Sequence, residues 1–256
     1  MRETRIPLAT KETIIMNIDE HDNLSLCFNP LWEHLEREKI ASLINKTGNM
    51  VDVGANIGIY TVELALQTSG TVWSIEPTPK TFEVLKSNVE KHNLKNVNLF
   101  HGAAGDFDGT VNLRLEVHDQ TDNRVYDTSK DFRFKEGGQV TVPCTTIDTL
   151  VQNTPIDFMK IDTQGYDYRV LKGAEKTLRN NKNIKFMFEF WPYAFKLIND
   201  NPLECLQWLE SLGFNLYPIL QFAKMPPKHF MDFIYAKDPI NAHGSIDIFC
   251  SRDNIK

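Results

Sequence analysis

The sequence predicts an α/β fold, doubly wound around a mostly parallel sheet with helices on both faces. Three observations predict it. The stretch 50–61 reads as a short apolar strand containing Asp52, a turn carrying Gly54 and Gly58, and the start of a helical pattern. Four apolar runs separated by helical patterns each end in an acid, at Asp52, Glu76, Asp162 and Glu189. Glu76 falls roughly 20 residues past the glycine turn, where nucleotide-binding folds of this class place a ribose-binding carboxylate.

The residue types of the opening unit have chemical reasons. Gly54 would let the backbone approach a ligand, and Gly58 would let the new helix sit close to the strand. Free N–H groups at the helix start attract a carboxylate or other electron-rich group. Asp52, at the strand end, is placed to bind an ammonium, and a phosphate cradle would not want a carboxylate so close. The turn also lacks the third glycine of dinucleotide sites and the lysine of a P-loop. A ligand with an amino-acid end and a nucleoside end fits these features, and S-adenosyl-L-methionine is such a molecule.

At 256 residues the chain suits a single large α/β domain. The formal charge of −6 argues against a general binder of nucleic acid or of anionic membranes. No run of about 18 apolar residues predicts a membrane span. The start of the chain has no apolar signal-like region. Cys27, Cys144, Cys205 and Cys250 are far apart, which favours idle thiols in a reducing cytoplasm over disulfides or zinc.

Residues 1–46 read as a loose arm or small strands at 13–18 and 24–28, followed by a helix through residue 45 that packs on the core. The arm could help cover a ligand. Residues 47–256 form the main domain. A strand at 71–76 ends in Glu76, whose two carboxylate oxygens match two ribose hydroxyls. A helix over 77–94 leads to a strand at 97–100. Small residues then follow, where Ala103 and Ala104 would let an adenine ring lie flat. Asp106 either accepts a hydrogen bond from the adenine amino group or is a turn residue. Strands at 111–115 and 139–144 flank a polar stretch, 116–138, long enough to be a substrate-contacting lid. The strand 156–162 ends in Asp162, and 184–190 is a buried strand. A helix opens at Asn201 with a capping box. Strands at 214–220 and 246–250 bracket an irregular cap over 221–244. In an open parallel sheet the carboxyl ends share one edge, so Asp52 and Asp162 should face one cleft, with Glu76 one strand further out. Some of the strand-end acids are expected to cap helices instead, Glu189 foremost.

The segments VDVGANIG at 51–58, IEP at 75–77, the stretch 103–109, KIDTQG at 160–165 and VLKGA at 170–174 resemble the FkbM-type methyltransferases. Order and spacing match from about residue 49 to 191. The resemblance implies a class I methyltransferase fold, Rossmann-like, with a seven-stranded sheet whose last strand, at 246–250, is reversed. It implies S-adenosyl-L-methionine as methyl donor and O-methylation of a hydroxyl on a sugar or other small molecule. It places Asp52, Gly54, Asn56 and Glu76 on the cofactor, Ala103 and Ala104 beside the adenine, and Asp162 at the methionine end or methyl group. Ala55 and Tyr60, in the same turn and first helical turn, are counted with the cofactor residues, as is Asp106. The family commonly carries Asp-Val-Glu-Gly where this chain has Asp162, Thr163, Gln164 and Gly165, a change that bears on substrate or metal preference.

The expected reaction is in-line methyl transfer, in which the protein aligns an acceptor oxygen and excludes water. Asp162, His118 or His243 would take the hydroxyl proton, with Asp162 the nearest choice. No metal is expected. The rivals are an NAD-dependent oxidoreductase, which Glu76 would serve equally well, and a non-catalytic binding module on the same fold.

Overall fold

The computed structural model describes residues 2–10, 12–18, 34–115, 123–125, 138–219, 224–237 and 244–255. The chain opens with β1 (Arg2–Pro7) and β2 (Thr13–Ile18), paired antiparallel. Of the two readings of the arm, small strands hold at 13–18, within a hairpin, while the strand expected at 24–28 lies outside the described residues. The hairpin's alternating apolar residues Ile6, Ile14 and Met16 pack on Val62, and Ile18 packs on Ile57 and Val84. The helix His34–Leu43 follows and sends Ile40 into the cluster that holds Met50 and Leu64.

The main sheet is built from β3 (Met50–Val53), β4 (Val72–Glu76), β5 (Val97–His101), β10 (Phe158–Ile161), β11 (Lys185–Phe190), β12 (Asn215–Pro218) and β13 (Ile246–Ser251). Across the sheet the order is β5-β4-β3-β10-β11-β13-β12. The first five of these pair in parallel, and β13 runs antiparallel to both its neighbours. All four residues of β3 and of β10 are buried, as expected for central strands covered on both faces. Val51, Val53 and Ile161 face a cluster with Val170, Leu171 and Leu206. Met50 and Phe158 face the other side, with Tyr60 and Leu64 of the helix Ile59–Gln67. The strand order reverses between β3 and β10, the position where such sheets bind ligands.

A second, four-stranded sheet is inserted between β5 and β10. It comprises β6 (Ala103–Ala104), β7 (Gly109–Arg114), β8 (Arg124–Val125) and β9 (Gln139–Thr145), in the order β6-β9-β7-β8. Within the stretch 116–138, expected to be a substrate-contacting lid, Arg124–Val125 form β8, which pairs with β7; residues 116–122 and 126–137 lie outside the described residues. Val111, Leu113, Val142 and Cys144 form this sheet's core.

Two further expectations need correction. The segment 221–244 contains the helix Pro227–Lys237. Pro227 opens it where a missing N–H is harmless, and Phe230 anchors it in the core. At Asn201 only half of the capping box forms: Asn201 Oδ1 accepts from the N–H groups of Leu203 and Glu204, while Glu204 Oε1 accepts from Tyr168 Oη. Among the described residues no helix is long and apolar enough to cross a membrane. Cys144, Cys205 and Cys250 are free, buried thiols.

Candidate functional site: a carboxylate-lined cleft at the sheet edge

A cavity of about 300 Å³ opens at the carboxyl edge of β4, β3 and β10. Its floor starts with two neighbouring rungs of the sheet. On the lower rung Lys160, Asp52 and Ser74 are register partners across three strands, all buried beneath the helix Ile59–Gln67. Thr61 Oγ1 donates to Asp52 Oδ2 at 2.6 Å and lies 2.6 Å from Ser74 Oγ. Two residues further along each strand come Asp162, Gly54 and Glu76, all three on the cavity wall.

Gly54, at φ +74°, leaves no side chain between the two carboxylates. A Cβ there would stand 1.8 Å from the Asp162 carbonyl oxygen. The glycine is thus required by the approach of the β10 end, and not only by a ligand. Gly58, at φ +94°, likewise faces a side chain of the next helix, Leu85, rather than the strand.

Glu76 is held by the turn it faces. Its Oε2 accepts from the Asn56 N–H at 2.9 Å and its Oε1 from the Thr78 N–H at 2.8 Å. Burial pushes its pKa up; the Thr78 and Asn56 hydrogen bonds and the charge of Lys160 pull it back. Each oxygen keeps a lone pair, so the carboxylate is oriented and still able to accept hydroxyl donors. Asp162 is fixed by Lys160 Nζ at 3.1 Å and Gln164 Nε2 at 3.0 Å. Among the described residues lining the cavity Lys160 is the only cation, and it lies 5.0 Å from the centre of the Tyr60 ring.

The structure brings together Gly54, Ala55, Asn56, Tyr60, Glu76, Ala103, Ala104 and Asp162 on one cavity. It does not bring Asp52 there. Asp52 is fully buried on the rung that it shares with Lys160: the long Lys160 side chain reaches the cavity, whereas the short Asp52 carboxylate is taken up by Thr61 under the helix. Burial raises its pKa, and Lys160 and Thr61 oppose that. Asp106 is also absent from the lining; it pairs with Arg169 at 2.9 Å, which favours the turn-residue alternative. His118 and His243 lie outside the described residues. None of the described arm residues reaches the cavity.

Several cavity residues escape a reading by strand ends. Lys160 stands out only as a charge inside an apolar run. Tyr166 lines the cavity, as Ala103 and Ala104 do, and burial together with the Asp106 charge pushes its phenol up to about 12. Leu113, Asn123 and Val125 come from the inserted sheet, and Asn123 Nδ2 donates to Thr78 Oγ1 across the cleft at 3.1 Å. Glu189, expected to cap a helix, lines the cavity together with Asp247, and the helix Pro192–Leu197 that follows has no side-chain cap.

Counting the main-sheet strands along the chain gives the order 3-2-1-4-5-7-6 with the seventh reversed. That is the class I methyltransferase arrangement, and its ligand edge carries the cleft just described. The chain belongs to the FkbM methyltransferase family: the profile described as "Methyltransferase FkbM domain" matches residues 52–216. Fold and family together place the chain among the class I methyltransferases of the FkbM type. Curated relatives include a probable cobalt-precorrin-6B C(15)-methyltransferase (decarboxylating) of Sulfurisphaera tokodaii. It is 30% identical over 105 residues, 39% of this chain and 55% of that protein. The hexuronic acid methyltransferase AglP of Haloferax volcanii is 25% identical over 132 residues, 50% of this chain and 51% of that protein. The chain thus spans about half the length of these relatives. Among solved structures, an rRNA methylase from Streptococcus thermophilus is similar over 85% of this chain and 94% of that one, with a TM-score of 0.49 at 12% identity.

Proposed function

We propose that the protein transfers a methyl group from S-adenosyl-L-methionine to a hydroxyl of a sugar or other small molecule. The observation that carries this reading is the oriented Glu76 carboxylate, separated from Asp162 by the bare Gly54 turn. In this reading Glu76 accepts the two ribose hydroxyls, and Ala103, Ala104 and Tyr166 wall the adenine. The backbone of Asn56 and the start of the helix Ile59–Gln67 face the methionine carboxylate. Asp162, oriented by Lys160 and Gln164, faces the cationic part of the cofactor. Bound cofactor supplies a methyl group already activated on a sulfonium. The chain's own residues then align the acceptor and exclude water. The carboxylates bordering the cavity are the bases among the described residues that can take the acceptor's proton. A sugar hydroxyl is supported by the likeness to AglP, and by a cavity rich in carboxylates, which accept hydroxyl donors.

Calorimetric titration with S-adenosylhomocysteine tests the cofactor assignment, with a nicotinamide fluorescence titration beside it. Heat with the first ligand and no change with NADH is the expected pair of results. Absence of heat at millimolar S-adenosylhomocysteine would refute the reading.

A further inference from the structure

Beyond the cofactor residues the same cavity continues to a pair of acids that the cofactor does not need. Glu189 and Asp247 stand directly opposite each other in the antiparallel β11–β13 ladder, and both line the cavity. Directly opposed residues point to one face with Cβ atoms about 5 Å apart, and like charges so placed destabilise a sheet. Glu189 Oε2 is buried and has no hydrogen-bond partner among the described residues. Burial, and the charges of Asp162, Asp167 and Asp247, push the Glu189 carboxyl well above its usual range; a hydrogen bond from Ser245 opposes this. A carboxyl raised in this way favours its protonated form, which can donate a hydrogen bond as well as accept one.

The position of the pair separates it from the cofactor. Glu76 lies at the end of β4, three strands from β11 and four from β13. At about 4.8 Å per strand that is roughly 14 and 19 Å. A single methylene joins the ribose to the sulfonium, so a cofactor anchored at Glu76 presents its methyl group well short of Glu189. The space between is where an acceptor has to lie.

We propose that Glu189 and Asp247 form the acceptor subsite, and that this subsite selects a hydroxyl-rich acceptor that is neutral or carries an amine, against one bearing a carboxylate or phosphate. The proposal rests on the methyltransferase reading above. A diol or amino alcohol offers donors to the unpartnered Glu189 Oε2 and to the carboxylate opposite it. An anionic acceptor would meet Glu189, Asp247 and Asp162 with Lys160 as the one cation of the described lining, already engaged by Asp162. The inferred acceptor therefore differs in charge from the hexuronic acid in the name of AglP.

The test uses the full chain saturated with S-adenosylhomocysteine and three probes: methyl glucoside, methyl glucosaminide and methyl glucuronide. Binding is read by saturation-transfer NMR titration. The neutral and amino sugars should bind at least about tenfold more tightly than the glucuronide. Asp247→Asn and Glu189→Gln should each narrow that gap by about tenfold while leaving S-adenosylhomocysteine affinity within about threefold. Preference for the glucuronide, an unchanged gap in both variants, or no sugar binding to the loaded protein would each overturn the subsite. Loss of S-adenosylhomocysteine affinity in folded variants would assign the pair to the cofactor and likewise overturn it. Failure of the unmodified protein to bind S-adenosylhomocysteine would instead sink the cofactor reading. Should either variant fail to fold, the ranking of the three probes on the unmodified protein decides.

Discussion

Lys160 Nζ lies 3.1 Å from Asp162 Oδ2, and the same lysine is the register partner of Asp52. One cation thus serves a carboxylate in the cleft and a second, fully buried one beneath it. Its charge also lowers the pKa of both Asp52 and Glu76. Replacing Lys160 by Met should cost about 3–5 kcal/mol, the usual penalty for stranding a buried charge. Urea unfolding measures it. The double variant Lys160→Met with Asp52→Asn should recover a large part, because the stranded charge is then gone; no recovery would show that Asp52 is not the group that needs the lysine.

Glu76→Ala should weaken S-adenosylhomocysteine binding by about 100-fold. Two hydrogen bonds to a charged acceptor are worth about 3 kcal/mol together, which converts to that ratio. The N–H groups of Asn56 and Thr78 also lose their acceptor, so a stability loss of about 1–3 kcal/mol should accompany it. Calorimetry and thermal unfolding separate the two effects, and an affinity unchanged in the folded variant would remove Glu76 from the ribose.

Asp167 is fully buried and accepts from the N–H groups of Thr163 and Gly165. Burial first, then the charge of Asp162, push its carboxyl up to about 7. Its native form therefore keeps a proton that the unfolded chain releases near pH 4. Between roughly pH 4 and 7 the native state binds more protons, so this group's contribution to stability falls as pH rises and levels off above 7. Asp167→Asn should flatten that slope in unfolding curves measured from pH 4.5 to 8. A slope as steep as before would place its origin elsewhere.

Arg37 and Glu63 are both buried, and Arg37 Nη1 donates to Glu63 Oε2 at 2.6 Å and to the Pro7 carbonyl at 3.2 Å. This contact ties the hairpin and the helix His34–Leu43 to the helix Ile59–Gln67. We propose that the segment 1–46 is part of the same cooperative unit as the rest. Arg37→Met should then lower global stability by about 3 kcal/mol or more in a single transition. A separate, earlier transition seen by hydrogen exchange at β1 and β2 would make the arm an independent unit.

The strands of the main sheet were legible because each is an apolar run closed by an acid or a turn; the seven-stranded sheet with its last strand reversed came from the resemblance to the FkbM family. Of the inserted sheet only the two longer strands, expected at 111–115 and 139–144, were legible; β6 and β8 were not, because their pairings are non-local and the two residues of β6 pair with Cys144 and Thr145, some forty positions away. Asp52 and Asp162 share the sheet edge in sequence pattern, but the short Asp52 side chain is taken up by Thr61 beneath the helix while its register neighbour Lys160 reaches the cavity. Lys160 carries no local sign of function; its importance comes from Asp52 beside it in register. Glu189 reads as a helix-capping acid until β13, nearly sixty residues later, sets Asp247 across from it.

The reversed direction of β13 also governs how the protein can be assembled. Among the described residues β12 pairs only with β13, and β13 is threaded between β12 and β11. During synthesis β12 therefore emerges with no neighbour to join and must wait for the hairpin to complete. The acid that faces Glu189 arrives with that same strand. A nascent chain halted before residue 246 should hold an adenosine-binding half-cleft with no place to seat an acceptor, so maturation of the cleft runs from donor side to acceptor side.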